Sequence, residues 1–329
     1  MLFKNVILYL SFIIQVTVQV DFNIDKEVNS LVKKFNLPTS PLFKFLLKKK
    51  FLKRKKAATS KTITKLRTST VEEVKEGAVF ASVGPCDLNL LKEWKCKSCL
   101  QAPNNVFVDS FYNHETEVFA LLVKDEIETT FRLIFRATTT AINEEHNQNT
   151  ILIPYDSNSQ AIKVHTGYKT SIDSVSHKIV SKLKDLYKQE QYKGYKMKIY
   201  GHSLGGALAS LAVLKIQSEL ELNEGKLYLF TYGQPRVGNY DFVRFFNSHK
   251  FHSSRVVNYH DEITHFPAYV TEDYIHFNNE IFIDKDNSVI QCNSSYFEDS
   301  ECSQKVPIAD LSKESHGTYF IDLRPRSVC

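Results

Sequence analysis

Tryptophan occurs once in this chain and methionine twice, and no cysteine precedes Cys86. No internal repeat or low-complexity tract is present, which excludes solenoid and array architectures. The apolar stretch Val6 to Val18 is too short, and wrongly flanked, for a stable membrane span. A single Cys-x-x-Cys, at Cys96 and Cys99, has neither a second such pair nor a histidine pair to complete a zinc site. Glycine is sparse as well, 11 in 329 residues, yet three fall together at Gly201, Gly205 and Gly206.

What is present suffices for one large domain. Hydrophobic residues make up 43% and charged residues 24%, ordinary values for a globular chain with a substantial core. The first twenty residues differ. Met1-Leu2-Phe3-Lys4 is a short basic start, Val6 to Val18 is mostly apolar, and a Gln-Val-Asp step follows. Residues 1–20 therefore read as a secretory signal peptide, with the mature protein secreted and without a transmembrane segment. Residues 21–65 carry 13 Lys/Arg against 3 Asp/Glu, including the run Lys48 to Lys56, whereas residues 66–329 hold 28 basic and 34 acidic groups. The net charge of +5 thus hides opposite signs in the two parts. A basic arm suits nucleic acid or an anionic membrane surface. Here it lacks interleaved aromatic motifs and is confined to the segment behind the leader, so a prosegment attracted to the acidic body is preferred and no nucleic-acid partner is expected. The main folded body is assigned to residues 66–329.

Within that body, Lys198-Ile199-Tyr200-Gly201-His202-Ser203-Leu204-Gly205-Gly206-Ala207 organises the rest. Met197, Ile199 and Tyr200 have the length and character of a buried strand. After Ser203, Leu204, Ala207, Leu208, Leu211 and Ala212 recur at helical spacing. Gly-x-Ser-x-Gly in a strand–turn–helix context is a nucleophile elbow, in which a tight turn lifts a serine hydroxyl above a sheet. Ser203 is the candidate nucleophile.

Other segments are read from their patterns. Leu88 to Trp94 starts a weak helix, and Val118–Val123 with Phe131–Phe135 form a hairpin-like strand pair. Polar residues from Ala141 to Thr150 form a loop. Tyr168, Ile172, Val175, Ile179, Leu183 and Leu186 mark one face of a long helix. Gly225 is placed to stop the elbow helix. Leu227–Tyr232 and Arg255–Tyr259 are strands, and Glu280–Ile283 with Val289–Gln291 make a second hairpin. Strands alternating with helices around the elbow indicate an α/β fold with a central, mostly parallel sheet.

A serine hydroxyl needs a base to take its proton and a further group to orient that base. Six histidines lie downstream: His249, His252, His260, His265, His276 and His316. His316, in Ser315-His316-Gly317-Thr318-Tyr319-Phe320, follows the last core strand on a loop able to reach Ser203. His276 is the alternative, equally suited to a packed structural role. The candidate acids are Asp261, Glu262 and Asp273. Asp261 directly follows a strand, at the carboxyl end where such folds place catalytic residues.

From about Cys86 to Cys329 the chain resembles the class 3 lipases, the secreted filamentous-fungal type of triacylglycerol lipase with an α/β-hydrolase fold and a lid. The resemblance rests on Phe135-Arg136-Ala137-Thr138, Val164-His165-Thr166-Gly167-Tyr168, the elbow, Tyr232-Gly233-Gln234-Pro235-Arg236-Val237-Gly238-Asn239, Val257-Asn258-Tyr259-His260-Asp261 and the segment around His316. It implies Ser203 as nucleophile, Asp261 as acid and His316 as base, with an oxyanion hole from Thr138 and the backbone N–H of Leu204. It also implies the disulfides Cys86–Cys329, Cys96–Cys99 and Cys292–Cys302, from the 15 pairings that six cysteines allow. No metal or other cofactor is expected, the chain is expected to act as a monomer, and Asn293-Ser294-Ser295 is a glycosylation sequon.

Two features depart from the family pattern. Ala137 stands where a glycine usually precedes the oxyanion residue. The lid segment Thr139 to Thr150 is polar and has no tryptophan, where the family's lid is amphipathic. The leading expectation is a secreted serine ester hydrolase acting on acylglycerols at a lipid–water interface. The alternatives are a phospholipase, an esterase for soluble or cell-wall esters with the same triad, or a catalytically idle lipase-like binding protein.

Overall fold

The computed structural model describes residues 64–267, 273–292 and 298–329. The expected signal peptide, the prosegment up to residue 63 and the Asn293 sequon lie outside these residues. The first half of the described chain runs β1 (Thr64–Lys65), α1 (Thr68–Val83), α2 (Leu88–Lys92), β2 (Asn105–Tyr112), β3 (Phe119–Asp125), β4 (Thr130–Phe135), α3 (Ala141–Gln148), β5 (Leu152–Asp156), β6 (Ser159–His165) and α4 (Thr166–Tyr187). The second half contains β7 (Lys196–His202), α5 (Leu204–Leu220), β8 (Leu227–Tyr232), β9 (Gly238–Asn239), α6 (Tyr240–Ser248), β10 (His252–Asn258) and β11 (Tyr274–Ile275). It closes with β12 (Glu280–Ile283), β13 (Val289–Gln291), β14 (Thr318–Tyr319), β15 (Ile321–Asp322) and α7 (Pro325–Val328).

Nine strands form the main sheet in the order β1-β13-β12-β10-β8-β7-β4-β3-β2. From β4 to β12 the neighbours are parallel, and the strands outside that block are antiparallel. This is the α/β-hydrolase fold. Thr64 and Lys65, the last two residues of the expected prosegment, form the edge strand against Gln291 and Ile290.

Strand alternation explains why the central runs look uniformly apolar. Phe131, Leu133 and Phe135 of β4, with Met197 and Ile199 of β7, face one core, which α4, α5 and α6 cover. Ile134, Tyr200, Phe230 and Val256 face the opposite core, where α1 packs through Val74, Ala78 and Ala81. Both faces of these strands are buried, as parallel sheets require, so polar alternation is lost. α5 is buried on nearly every side from Leu204 to Leu214, because it is packed against α4 as well as β7 and β8.

Several local expectations are corrected. The segment read as a loop from Ala141 to Thr150 contains the helix α3. Thr140 caps it by accepting a hydrogen bond from the Asn143 N–H at 3.2 Å, and the acidic Glu144 lies in its first turn. Gly225 does not stop α5. That helix ends at Leu220, and Glu221 itself takes the left-handed conformation with φ +53°. α2 stops at Lys92, and β10 runs from His252 to Asn258, three residues earlier at its start than the apolar run. β2, β5, β6, α1 and α6 had no counterpart in the sequence reading.

Candidate active site

β7 ends at His202 and α5 begins at Leu204, leaving Ser203 between them with φ +56° and ψ −127°. Such a conformation costs an L-residue on the order of 1–3 kcal/mol and persists only when its surroundings hold it. The Ser203 N–H donates to the Tyr232 carbonyl at 2.9 Å, and the Ser203 carbonyl accepts from the Gly206 N–H at 2.9 Å. The flanking glycines are required by close approach. A Cβ on Gly201 would stand 2.1 Å from the Gly205 carbonyl oxygen, and one on Gly205 would stand 2.3 Å from the Phe135 oxygen.

The parallel register brings the carboxyl ends of the central strands to this point. Phe135 pairs with Gly201, His202 with Tyr232, and Tyr232 with Val256. Asp261 follows three residues beyond the end of β10 and is fully buried. His316 sits in a 3-10 turn, Glu314–Gly317, just ahead of β14. Its Nδ1 is 2.8 Å from Asp261 Oδ2. A carboxylate only accepts, so Nδ1 carries the proton and Nε2 presents its lone pair. Nε2 is buried and has no hydrogen-bond partner among the described residues.

Asp261 is held in place from three sides. Tyr319 donates to Oδ2, His316 donates to the same oxygen, and the Ile263 N–H donates to Oδ1 at 2.8 Å. Burial pushes the carboxyl upward, but the His316 ring and these hydrogen bonds outweigh it and hold the group below its ordinary range. Gly233 leaves room for the pair. Its φ is +58°, and a Cβ there would lie 2.8 Å from Asp261 Oδ2 and 2.9 Å from His316 Nδ1.

The competing candidates lie elsewhere. His276 is buried with Nε2 on the Thr264 carbonyl at 2.7 Å, and burial pushes it well below its ordinary value. His260 is occupied by the Asp310 carbonyl. Glu262 faces Lys313 at 3.9 Å, outside the Asp261–His316 contact.

Thr138 lies three residues past the end of β4, whose Phe135 carbonyl abuts Gly205, so the segment after β4 runs beside the start of α5. Leu204 opens α5, and its N–H is one of the four that a helix leaves without an internal acceptor. Ala137 keeps a negative φ, so alanine fits where the family pattern has glycine.

Known proteins resemble this chain in sequence and in fold. The family profile described as Lipase (class 3) matches residues 132–271. A lipase of Rhizomucor miehei is 30% identical over 229 residues, 69% of this chain and 62% of the relative, so the match spans just under two thirds of that protein. Among solved structures, the native Rhizomucor miehei lipase propeptide complex is similar with TM-score 0.72 and 25% identity, over 80% of this chain and 86% of that one. A triacylglycerol lipase whose catalytic centre is described as a serine protease triad is similar with TM-score 0.71 and 26% identity, over 79% of this chain and 97% of that one. The chain is similar to the class 3 lipases in sequence profile and in fold.

In this chain α3 occupies the position of the expected lid and is attached by polar groups. Asn143 is buried and donates to the carbonyls of Thr116 and Glu117 at 3.0 and 3.3 Å. The Asn147 amide donates to the Thr138 hydroxyl at 2.9 Å and to Glu144 at 3.2 Å. The buried His165 ring meets the Asn147 carbonyl at 3.2 Å. A Cβ on Gly167 would lie 1.8 Å from the His146 oxygen, so α4 begins directly against α3.

The sulfurs are bonded as Cys86–Cys329, Cys96–Cys99 and Cys292–Cys302, with Cα separations of 5.2, 4.8 and 6.2 Å. Glu280 gathers with Cys292 and Cys302, but those two sulfurs are bonded to each other and Glu280 is paired with Arg255 at 2.8 Å. That cluster offers no thiolate to a metal.

Three residues next to the site were not assigned roles from sequence. Gly233 and Tyr319 stood within motifs whose order was legible, but nothing local showed that they face Asp261. His202 was visible only as the variable residue before Ser203. Its Nε2–H donates to the His316 carbonyl at 2.8 Å, the two rings lie 4.5 Å apart, and burial pushes its pKa down to about 3.

Proposed function

We propose that this chain is a secreted serine ester hydrolase that cleaves acylglycerol esters through an acyl-enzyme on Ser203. The observation that carries the reading is the Asp261–His316 contact at 2.8 Å beside the elbow serine. Asp261 fixes the tautomer, so His316 Nε2 accepts the Ser203 proton as the oxygen attacks the ester carbonyl. The resulting oxyanion is met by the Leu204 N–H and by the N–H and hydroxyl of Thr138. Losing one such donor typically costs roughly 2.7–4 kcal/mol of barrier. His316 then protonates the departing alcohol, and water, deprotonated by the same ring, releases the acid and restores Ser203. Secretion is supported by the leader pattern and by the three disulfides, which oxidising compartments favour. The propeptide complex of the similar Rhizomucor miehei lipase supports assigning residues 21–65 as a prosegment.

A second reading, an esterase on more water-soluble esters, is favoured by one observation. Glu144, Glu145 and Gln148 are exposed on α3, where a lipid surface would have to be met. Hydrolysis rates for matched short- and long-chain esters separate the two, with Ser203→Ala as the control that abolishes both. Activity retained in Ser203→Ala would refute the nucleophile, and activity on short chains alone would favour the second reading.

A further inference from the structure

We infer that His202 is a positioning residue that sets the distance between Ser203 and His316 through the hydrogen bond from its Nε2–H to the His316 carbonyl. The inference rests on the ester-hydrolase reading above and adds to it a residue outside the triad.

The two reacting side chains belong to segments far apart in sequence. Ser203 is fixed by the elbow, whereas His316 rides on a 3-10 turn with exposed residues on either side. Asp261 grips the His316 ring at one atom, Nδ1. A ring held at one atom still pivots about that contact, and the pivot sweeps Nε2 toward or away from the serine oxygen. Asn258 braces the turn at its flanks, donating to the carbonyls of Ser315 and Thr318 at 3.1 and 2.9 Å. His202 alone among these braces acts at His316 itself, at 2.8 Å.

The brace is also anchored in the right place. His202 is covalently joined to Ser203, and it ends β7, which is paired on both sides by parallel strands. One hydrogen bond therefore ties the residue before the nucleophile to the base. Its direction is determined, because a carbonyl accepts and the ring must donate. The ring is 9% exposed and lies 4.5 Å from the His316 ring, so it also packs against the base. Burial keeps it neutral, which avoids a second positive charge beside the imidazolium formed during the reaction.

The test compares His202→Gln, whose amide reaches as far as Nε2 and keeps the donor, with His202→Met, of similar length and without one. Kinetics use a soluble short-chain ester, beside wild type and Ser203→Ala. His202→Met is expected to lower kcat about 10- to 100-fold with KM within about twofold, since small misplacements of reacting groups carry penalties of that size. His202→Gln is expected to recover to within about threefold of wild type. If His202→Met does not fold, His202→Asn, whose amide falls one methylene short, takes its place with the same expected loss. Equal kcat in the donor and non-donor variants overturns the inference, whether both match wild type or both fall alongside the melting temperature. An inactive wild type would instead refute the ester-hydrolase reading on which it stands.

Discussion

Tyr319 donates its hydroxyl to Asp261 Oδ2, the same oxygen that receives His316 Nδ1–H. Both Tyr319 and Asp261 are fully buried. An isolated carboxylate in that position would be costly, and a neutral phenol supplies a second donor without adding charge. The phenol itself is pushed well above its ordinary value, first by burial and then by the adjacent carboxylate, so it remains a donor.

Tyr319→Phe should therefore leave the ring packing intact and weaken the hold on Asp261. Hydrogen bonds to charged groups are worth about 1.5–3 kcal/mol, so a fall in kcat of about tenfold or more is expected, with KM little changed. Steady-state kinetics on a soluble ester check this. A variant as fast as wild type would show that His316 and Ile263 suffice to hold the carboxylate.

Gly233→Ala should disable the site more completely. The new methyl would meet Asp261 and His316 atoms at 2.8–2.9 Å, and φ +58° is unfavourable for alanine. The backbone penalty alone is about 1–2 kcal/mol. Displacing the acid–base pair should lower kcat by at least about 100-fold. Activity and thermal unfolding measured together would show whether the loss in rate exceeds the loss of folded protein, as expected.

Acid should destabilise the fold before most carboxylates titrate. Burial holds His202 and His165 down at about 3, and His276 well below its ordinary value. Unfolded, each would titrate near about 6.5. Between those values the unfolded chain binds protons that the folded chain refuses, so stability is greatest above about pH 6.5 and falls as pH falls. Each histidine contributes a slope of up to about 1.4 kcal/mol per pH unit. The depressed Asp261 adds loss in the same direction, but only below its unfolded value near about 3.9. Urea unfolding midpoints between about pH 7 and 4.5 should decline steadily, and a flat profile would contradict the assignment of three buried neutral rings.

Interfacial activation should be weak. Opening a lid at an oil surface is rewarded at roughly 25 cal/mol per Å² of apolar area transferred. α3 offers an exposed Ala141 and a half-buried Ile142, with Ile151 exposed just beyond it, whereas Glu144, Glu145 and Gln148 face solvent. Moving α3 would also break the Asn143 and Asn147 hydrogen bonds. Rates followed across the solubility limit of a short-chain triglyceride should rise smoothly. A sharp jump as droplets form would mean that another surface faces the lipid.

Much of the framework was legible because it depends on neighbours in the chain. The elbow is a local object, five residues whose glycines admit close backbone contacts. The β3–β4 and β12–β13 hairpins, β7, β8 and α4 carry their periodicity within single windows. α3 escaped notice because its polar residues resemble a loop until Asn143 is seen buried against the carbonyls of Thr116 and Glu117. β2, β5 and β6 are largely half-exposed, and their apolar pattern is correspondingly faint.

The sequence by itself indicated a serine on a tight turn between β7 and α5, since Gly201 and Gly205 admit the close backbone approach that a strand–turn–helix elbow needs. It also limited the base and the acid to a short set of histidines and carboxylates downstream. The motif resemblance singled out Asp261 and His316 from that set, but the reason these two meet belongs to the tertiary structure. Asp261 and His316 are 55 residues apart and meet only because β8 and β10 align in parallel beside the elbow, while Gly233 leaves space for both. The hydrogen bonds of Tyr319 and His202 arise from the same convergence. Local periodicity records which face a residue turns toward the core, but which distant groups meet there depends on strand order and register across the sheet.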